Sequence, residues 1–160
     1  WRTLSGILLN ENIEKLSLTL DIEKILLDIG EYLIKTEEFE QFEYISRYLL
    51  QCSIDTQEKL ASILLSYGHT DTVIELVKMI IDKYPRRFEL NMIMGKAYMK
   101  QNRNKEAIEY FMKSLRIKKD YSAYEKIYDI YEKTGDKEKL SELAKVMKEE
   151  FPLSIWLKTI

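Results

Sequence analysis

Turn-forming residues recur along this chain at a step of about one helical hairpin. Gly68, Asn102 and Gly135 stand 34 and 33 residues apart, and Pro85, Lys119 and Pro152 keep the same two steps. Between these marks the apolar residues fall three and four apart, the spacing of a helix face, and do not alternate as in a strand. A period of this length means that one supersecondary unit is repeated, each copy burying its apolar face against the next. With only 5 Gly and 2 Pro in 160 residues there is little other punctuation, which suits long helices joined by short turns.

The clearest copy is residues 88–120. Its first helix carries Leu90, Ile93, Met94, Ala97 and Tyr98 on one face; its second carries Ala107, Ile108, Phe111, Met112 and Leu115. A polar turn at Gln101–Asn104 joins them. Met94, Gly95, Tyr98, Ala107 and Phe111 fall at the offsets of the pattern L-G-x-x-Y…A-x-x-x-F. This unit resembles a tetratricopeptide repeat (TPR). The resemblance implies an all-α fold, an α-α superhelix (a TPR-like solenoid of antiparallel helix pairs), and a non-catalytic protein–protein interaction scaffold.

About four divergent units are expected over residues 23–152, near 23–53, 54–87, 88–120 and 121–152. Residues 1–22 read as an N-terminal capping helix or the remnant of an upstream repeat, and 153–160 as the start of a C-terminal capping helix. The first unit sets Leu26, Ile29, Gly30 and Leu33 against Phe42, Ser46 and Leu49. The second sets Leu60, Ala61 and Leu64 against Val73, Val77 and Ile80, with Asp55 and Glu58 as a capping box and Gly68 as a left-handed cap. The last sets Tyr124, Ile127, Tyr128 and Tyr131 against Leu140, Ala144 and Met147. Gly30, Ala61 and Gly95 lie midway along successive first helices, where a small residue lets the paired helix approach closely.

Little in the sequence points to chemistry. Cys52 is the single cysteine, which excludes an intramolecular disulfide and a thiolate metal cluster; beside Leu49 and Leu50 it reads as a small apolar residue. His69 is the single histidine and sits in a turn, so zinc and Ser-His arrangements lack their second member. Glu37 and Glu38 stand at a helix start, where carboxylates favour the dipole. No glycine-rich phosphate loop occurs. No catalytic residue, cofactor or metal site is therefore expected. The net charge of −2 gives no reason to expect nucleic acid, and the run Arg116–Lys119 reads as a solvated helix end. No apolar run is long enough to span a bilayer, so no membrane partner is expected either. A cytoplasmic home is the default, and the start at Trp1 reads as part of a longer protein.

In TPR arrays the first helix of each pair lines a groove for a protein or peptide ligand. Projected onto this sequence, that groove takes Leu65, Met92, Lys96, Met99, Lys100, Glu125 and Asp129, with exposed methionine suited to an adaptable contact. The Lys and Asn clamp of chaperone-binding TPR domains is missing, because Glu58, Ser62, Met92, Lys96, Glu125 and Asp129 stand at its positions. Two other readings remain open. One is a self-associating structural module, a homo-oligomer through terminal helices bearing Trp156, Leu157 and Ile160; the other is a repeat region appended to a larger enzyme, such as a glycosyltransferase, or to a regulator.

Overall fold

The computed structural model describes residues 21–152, and among them all regular structure is helical. The expected terminal caps, with Trp156, Leu157 and Ile160, lie outside the described residues. Eight helices follow in order: α1 (Ile22–Lys35), α2 (Phe39–Leu49), α3 (Ile54–Ser66), α4 (Thr70–Ile81), α5 (Phe88–Lys100), α6 (Asn104–Ile117), α7 (Tyr121–Thr134) and α8 (Lys137–Glu150). They form two compact units that divide between Ile63 and Leu64, within α3.

In the N-terminal unit α1 and α2 form a hairpin, with Leu26 and Leu33 buried on one helix and Phe42, Ile45 and Leu49 on the other. A Cβ built on Gly30 would stand 3.2 Å from Leu49 Cδ1 and 3.7 Å from the Phe42 ring, so the small residue is where the helices come close. The start of α3 is tied back to this hairpin by one carboxylate. Glu23 accepts from the backbone N–H of Ser53 (2.9 Å), from the Ser53 hydroxyl and from the Thr56 hydroxyl (2.5 Å). The Ser53 and then the Thr56 hydrogen bonds hold the Glu23 carboxyl below its ordinary value. Gln57 completes the junction by donating to the carbonyls of Leu50 and Cys52 at 3.0 and 2.9 Å. The capping expectation shifts here. α3 begins at Ile54, so Asp55 lies inside its first turn, and it is the Ser53 hydroxyl that accepts from Thr56 N–H (3.4 Å).

In the C-terminal unit each helix packs on the next, α4 on α5 and so on to α8. The tightest approach is α5 on α6. A Cβ on Gly95 would lie 2.5 Å from Phe111 Cε1, and the Phe111 ring is fully buried. Ala97 and Ala107 are fully buried beside it. Tyr98 stacks on Tyr110 with ring centroids 5.5 Å apart, and the Arg103 guanidinium covers Tyr98 at 4.4 Å. In α8 Met147 is buried as expected, while the expected Leu140 and Ala144 are only half-buried and Leu143 is buried in their place. Just past α8 the Phe151 ring packs edge-on against Tyr121 and Tyr124.

One turn design closes every hairpin. The N–H groups of Glu38, His69, Arg103 and Asp136 reach back five residues to the carbonyls of Leu33, Leu64, Tyr98 and Tyr131, at 2.9, 3.0, 2.9 and 3.1 Å. Those of Glu37, Gly68, Asn102 and Gly135 reach back three, to Ile34, Leu65, Met99 and Glu132. This is the Schellman pattern, and its hinge residue must take positive φ. The four hinges do so, at 59, 89, 58 and 73°. Gly68 was legible as such a hinge, and Asn102 and Gly135 as turn markers; Glu37 was not, because a glutamate bears the left-handed strain there.

Two outcomes test this account. Gly95→Ala is expected to lower stability by about 1–3 kcal/mol by urea unfolding, the ring clash outweighing alanine's better helix propensity. For Glu23 the sign follows from its lowered pKa: the stabilisation is complete above the unfolded carboxyl value and fades as pH falls through the folded one. The wild type should therefore be more stable than Glu23→Gln at pH 7, with the gap shrinking as pH drops below the ordinary value of 4.5.

Candidate functional site

The C-terminal unit carries all seven candidate groove residues. Helical spacing sets Met92, Lys96 and Met99 on one face of α5, and Glu125 and Asp129 on one face of α7. Leu65 stands at the end of α3.

They divide by burial. Met92 is only 4 % exposed, because Ser114 on α6, itself fully buried, leaves room beneath it and donates its hydroxyl to Met92 Sδ at 3.3 Å. Leu65 is also buried, and its carbonyl accepts both Gly68 N–H (3.2 Å) and Lys100 Nζ (2.6 Å). The expected exposed pair of methionines is thus reduced to Met99, which is half-buried. Lys100 is a brace from α5 to the end of α3, its stem exposed and its ammonium engaged. Lys96 is exposed and forms no ion pair with another described residue. Asp129, half-buried, takes a charge-assisted hydrogen bond from Lys126 at 3.0 Å, and Glu125 is half-buried beside it.

Besides Lys100, the side chains of the seven that stay exposed or half-buried are Met99 and Lys96 on α5 and Glu125 and Asp129 on α7.

The scaffold under this face is held by polar rungs between successive turns. Gln101 Nε2 donates to Asp71 Oδ1 (2.7 Å) and Thr70 Oγ1 (3.2 Å), and Lys133 Nζ donates to Asn102 Oδ1 (2.9 Å). On the opposite edge Lys119 pairs with Glu150. Sequence pattern alone had not singled out these rungs. Their signal was the near-repeat separation of the partners, 31 residues for Lys133 and Asn102.

Other chemistry-bearing groups are accounted for locally. Burial, with a smaller push from Glu23, raises the Cys52 thiol to about 11, and the thiol donates to the Tyr48 carbonyl at 3.4 Å. It stays protonated near neutral pH. Among the described residues no group of three or more His, Cys, Asp or Glu side chains could hold a metal ion. No helix among them is long and apolar enough to cross a membrane.

The comparisons with known proteins bear on the same unit. Residues 88–121 match the family model for the tetratricopeptide repeat. This segment is a tetratricopeptide repeat. It spans α5 and α6, where the Gly95–Phe111 contact lies. Among curated proteins none matches the sequence. Solved structures with the same fold include MamA (residues 41 to the end) from Desulfovibrio magneticus RS-1, at 14 % identity and a TM-score of 0.64, covering 82 % of this chain and 77 % of that one. Another MamA crystal structure is 21 % identical with a TM-score of 0.63, covering 81 % of this chain and 73 % of its own. The human IFIT1 dimer with PPP-AAAA is 17 % identical with a TM-score of 0.61; the match covers 78 % of this chain and 32 % of that one. At these identities the likeness is one of fold: an all-α, TPR-like solenoid of antiparallel helix pairs.

The burial difference within the TPR predicts a split between its two methionines. Met92→Glu should lower stability by roughly 3 kcal/mol or more, since it buries an unpaired carboxylate. Met99→Glu should stay within about 1 kcal/mol, and the shift in urea midpoint separates them.

Proposed function

We propose that this chain is a non-catalytic protein-interaction scaffold that takes a peptide or helix on the α5 and α7 face of its C-terminal unit. The observation that carries this reading is the exposed, unpaired Lys96 beside half-buried Met99, on helices that the core and the inter-turn rungs hold fixed. A rigid platform spends little conformational entropy on binding. The adaptable thioether suits an apolar anchor, while Lys96, Glu125 and Asp129 set the register of a charged segment. The TPR at 88–121 and the TPR-like fold support the scaffold reading in its general form.

Selection of displayed peptides against the chain, followed by titration of the selected peptides, tests it. Lys96→Glu with Met99→Glu should weaken their binding at least about tenfold while the helical circular-dichroism spectrum stays unchanged. Equal binding by the double variant rejects this face. Met92 is unsuitable for such a test, because its side chain belongs to the core.

A further inference from the structure

A different surface of the C-terminal unit concentrates positive charge. The turn from α4 to α5 carries Lys83, Arg86 and Arg87, and the turn from α6 to α7 is flanked by Arg116, Lys118 and Lys119. The Lys118 ammonium lies 5.3 Å from the centroid of the Phe88 ring, and Phe88 directly follows the first turn, so the two turns sit side by side. Over residues 82–87 and 116–120 six cations stand with two carboxylates, Asp82 and Asp120, and Glu150 adds a third from α8, a local balance of +3 in a chain whose net charge is −2. Lys118 and Lys119 are paired, with Asp120 and Glu150. Lys83, Arg86 and Arg116 are exposed and form no ion pair with another described residue. Two large apolar side chains stand among them: Tyr84 is 42 % exposed and Ile117 37 %.

We infer that this edge docks on an anionic membrane surface. Clustered Lys and Arg gain from the negative potential of acidic headgroups. An exposed Tyr and Ile beside them can enter the interfacial layer, where an aromatic with a polar tip is favoured. Nucleic acid would engage the cations but has little use for Ile117. The edge is separate from the Lys96 and Met99 face, so docking leaves that face open. Neither total charge nor apolar run length can register such a patch, which is why the sequence reading expected no membrane partner.

Vesicle co-sedimentation of the full chain decides it. In about 0.1 M salt it should bind phosphatidylcholine vesicles containing about 30 % phosphatidylserine and not pure phosphatidylcholine. Arg86→Glu with Arg116→Glu should weaken the partition at least about tenfold, and Tyr84→Ser with Ile117→Ser severalfold at unchanged charge. Poly-uridylate and poly-glutamate serve as soluble polyanions. No preference for phosphatidylserine, or no loss on charge reversal, overturns the inference. So does tighter binding to either polyanion with no effect of the Tyr84 and Ile117 changes. Circular dichroism confirms that each surface variant is folded.

Discussion

In the hairpin of α5 and α6 a helix with no side chain at one position meets a fully buried aromatic ring on its partner. Phe111 fills the space over Gly95 so completely that a single added carbon would stand 2.5 Å from the ring. A ring seated directly on the bare backbone gains dispersion there, and the close-packed interior has no slack to take the ring if it is displaced. Fully buried Ala107, one turn before Phe111, keeps the same face of α6 small. The α1 and α2 hairpin uses the same device more loosely, with Gly30 facing Leu49 and Phe42 at ordinary or slightly tight distances. That gradation matches where the tetratricopeptide pattern is clearest, at 88–121.

Packing sets how close two helices lie, but the turns set where each helix ends. The same pair of backward hydrogen bonds closes all four hairpins. A left-handed hinge stops one helix and, two residues later, starts the next, so the reversal needs almost no loop. Gln101 and Lys133 then join one turn to its predecessor, and Glu23 joins α1 to the start of α3. Each bond is modest by itself. Their recurrence keeps consecutive hairpins in register, which the apolar contacts alone specify less sharply.

The sequence made the helical class, the period and the central pair legible because they depend on residue type at fixed spacing. Gly95, Phe111, Ala107 and the hinges at Gly68 and Gly135 are determined by sterics that read directly from composition at a position. What depends on a neighbouring helix did not read so directly. Met92 looks like a surface methionine from its own helix, yet Ser114 on α6 makes the room that buries it. In α8 Leu143 is buried in place of Leu140 and Ala144, which one helix's pattern does not register. Glu37 as a hinge ran against residue preference, and its position became clear only from backbone geometry.

A repeat architecture spends its apolar residues on stacking, so recognition falls to what the stacking leaves over. On the candidate face that remainder is small: Met92 of α5 and Leu65 of α3 are used in the core, Lys100 braces a carbonyl, and Met99 and Lys96 keep their side chains outside it. At the turns the remainder is larger, because turn residues contribute little to the core and are free to vary in charge. The cations at 83–87 and 116–119 sit there, balanced over the whole chain by carboxylates placed elsewhere. Screening acts over about 10 Å, so an approaching surface responds to the local patch and not to the total. For a chain of near-zero net charge, the distribution of charge over its edges therefore carries more functional information than the sum.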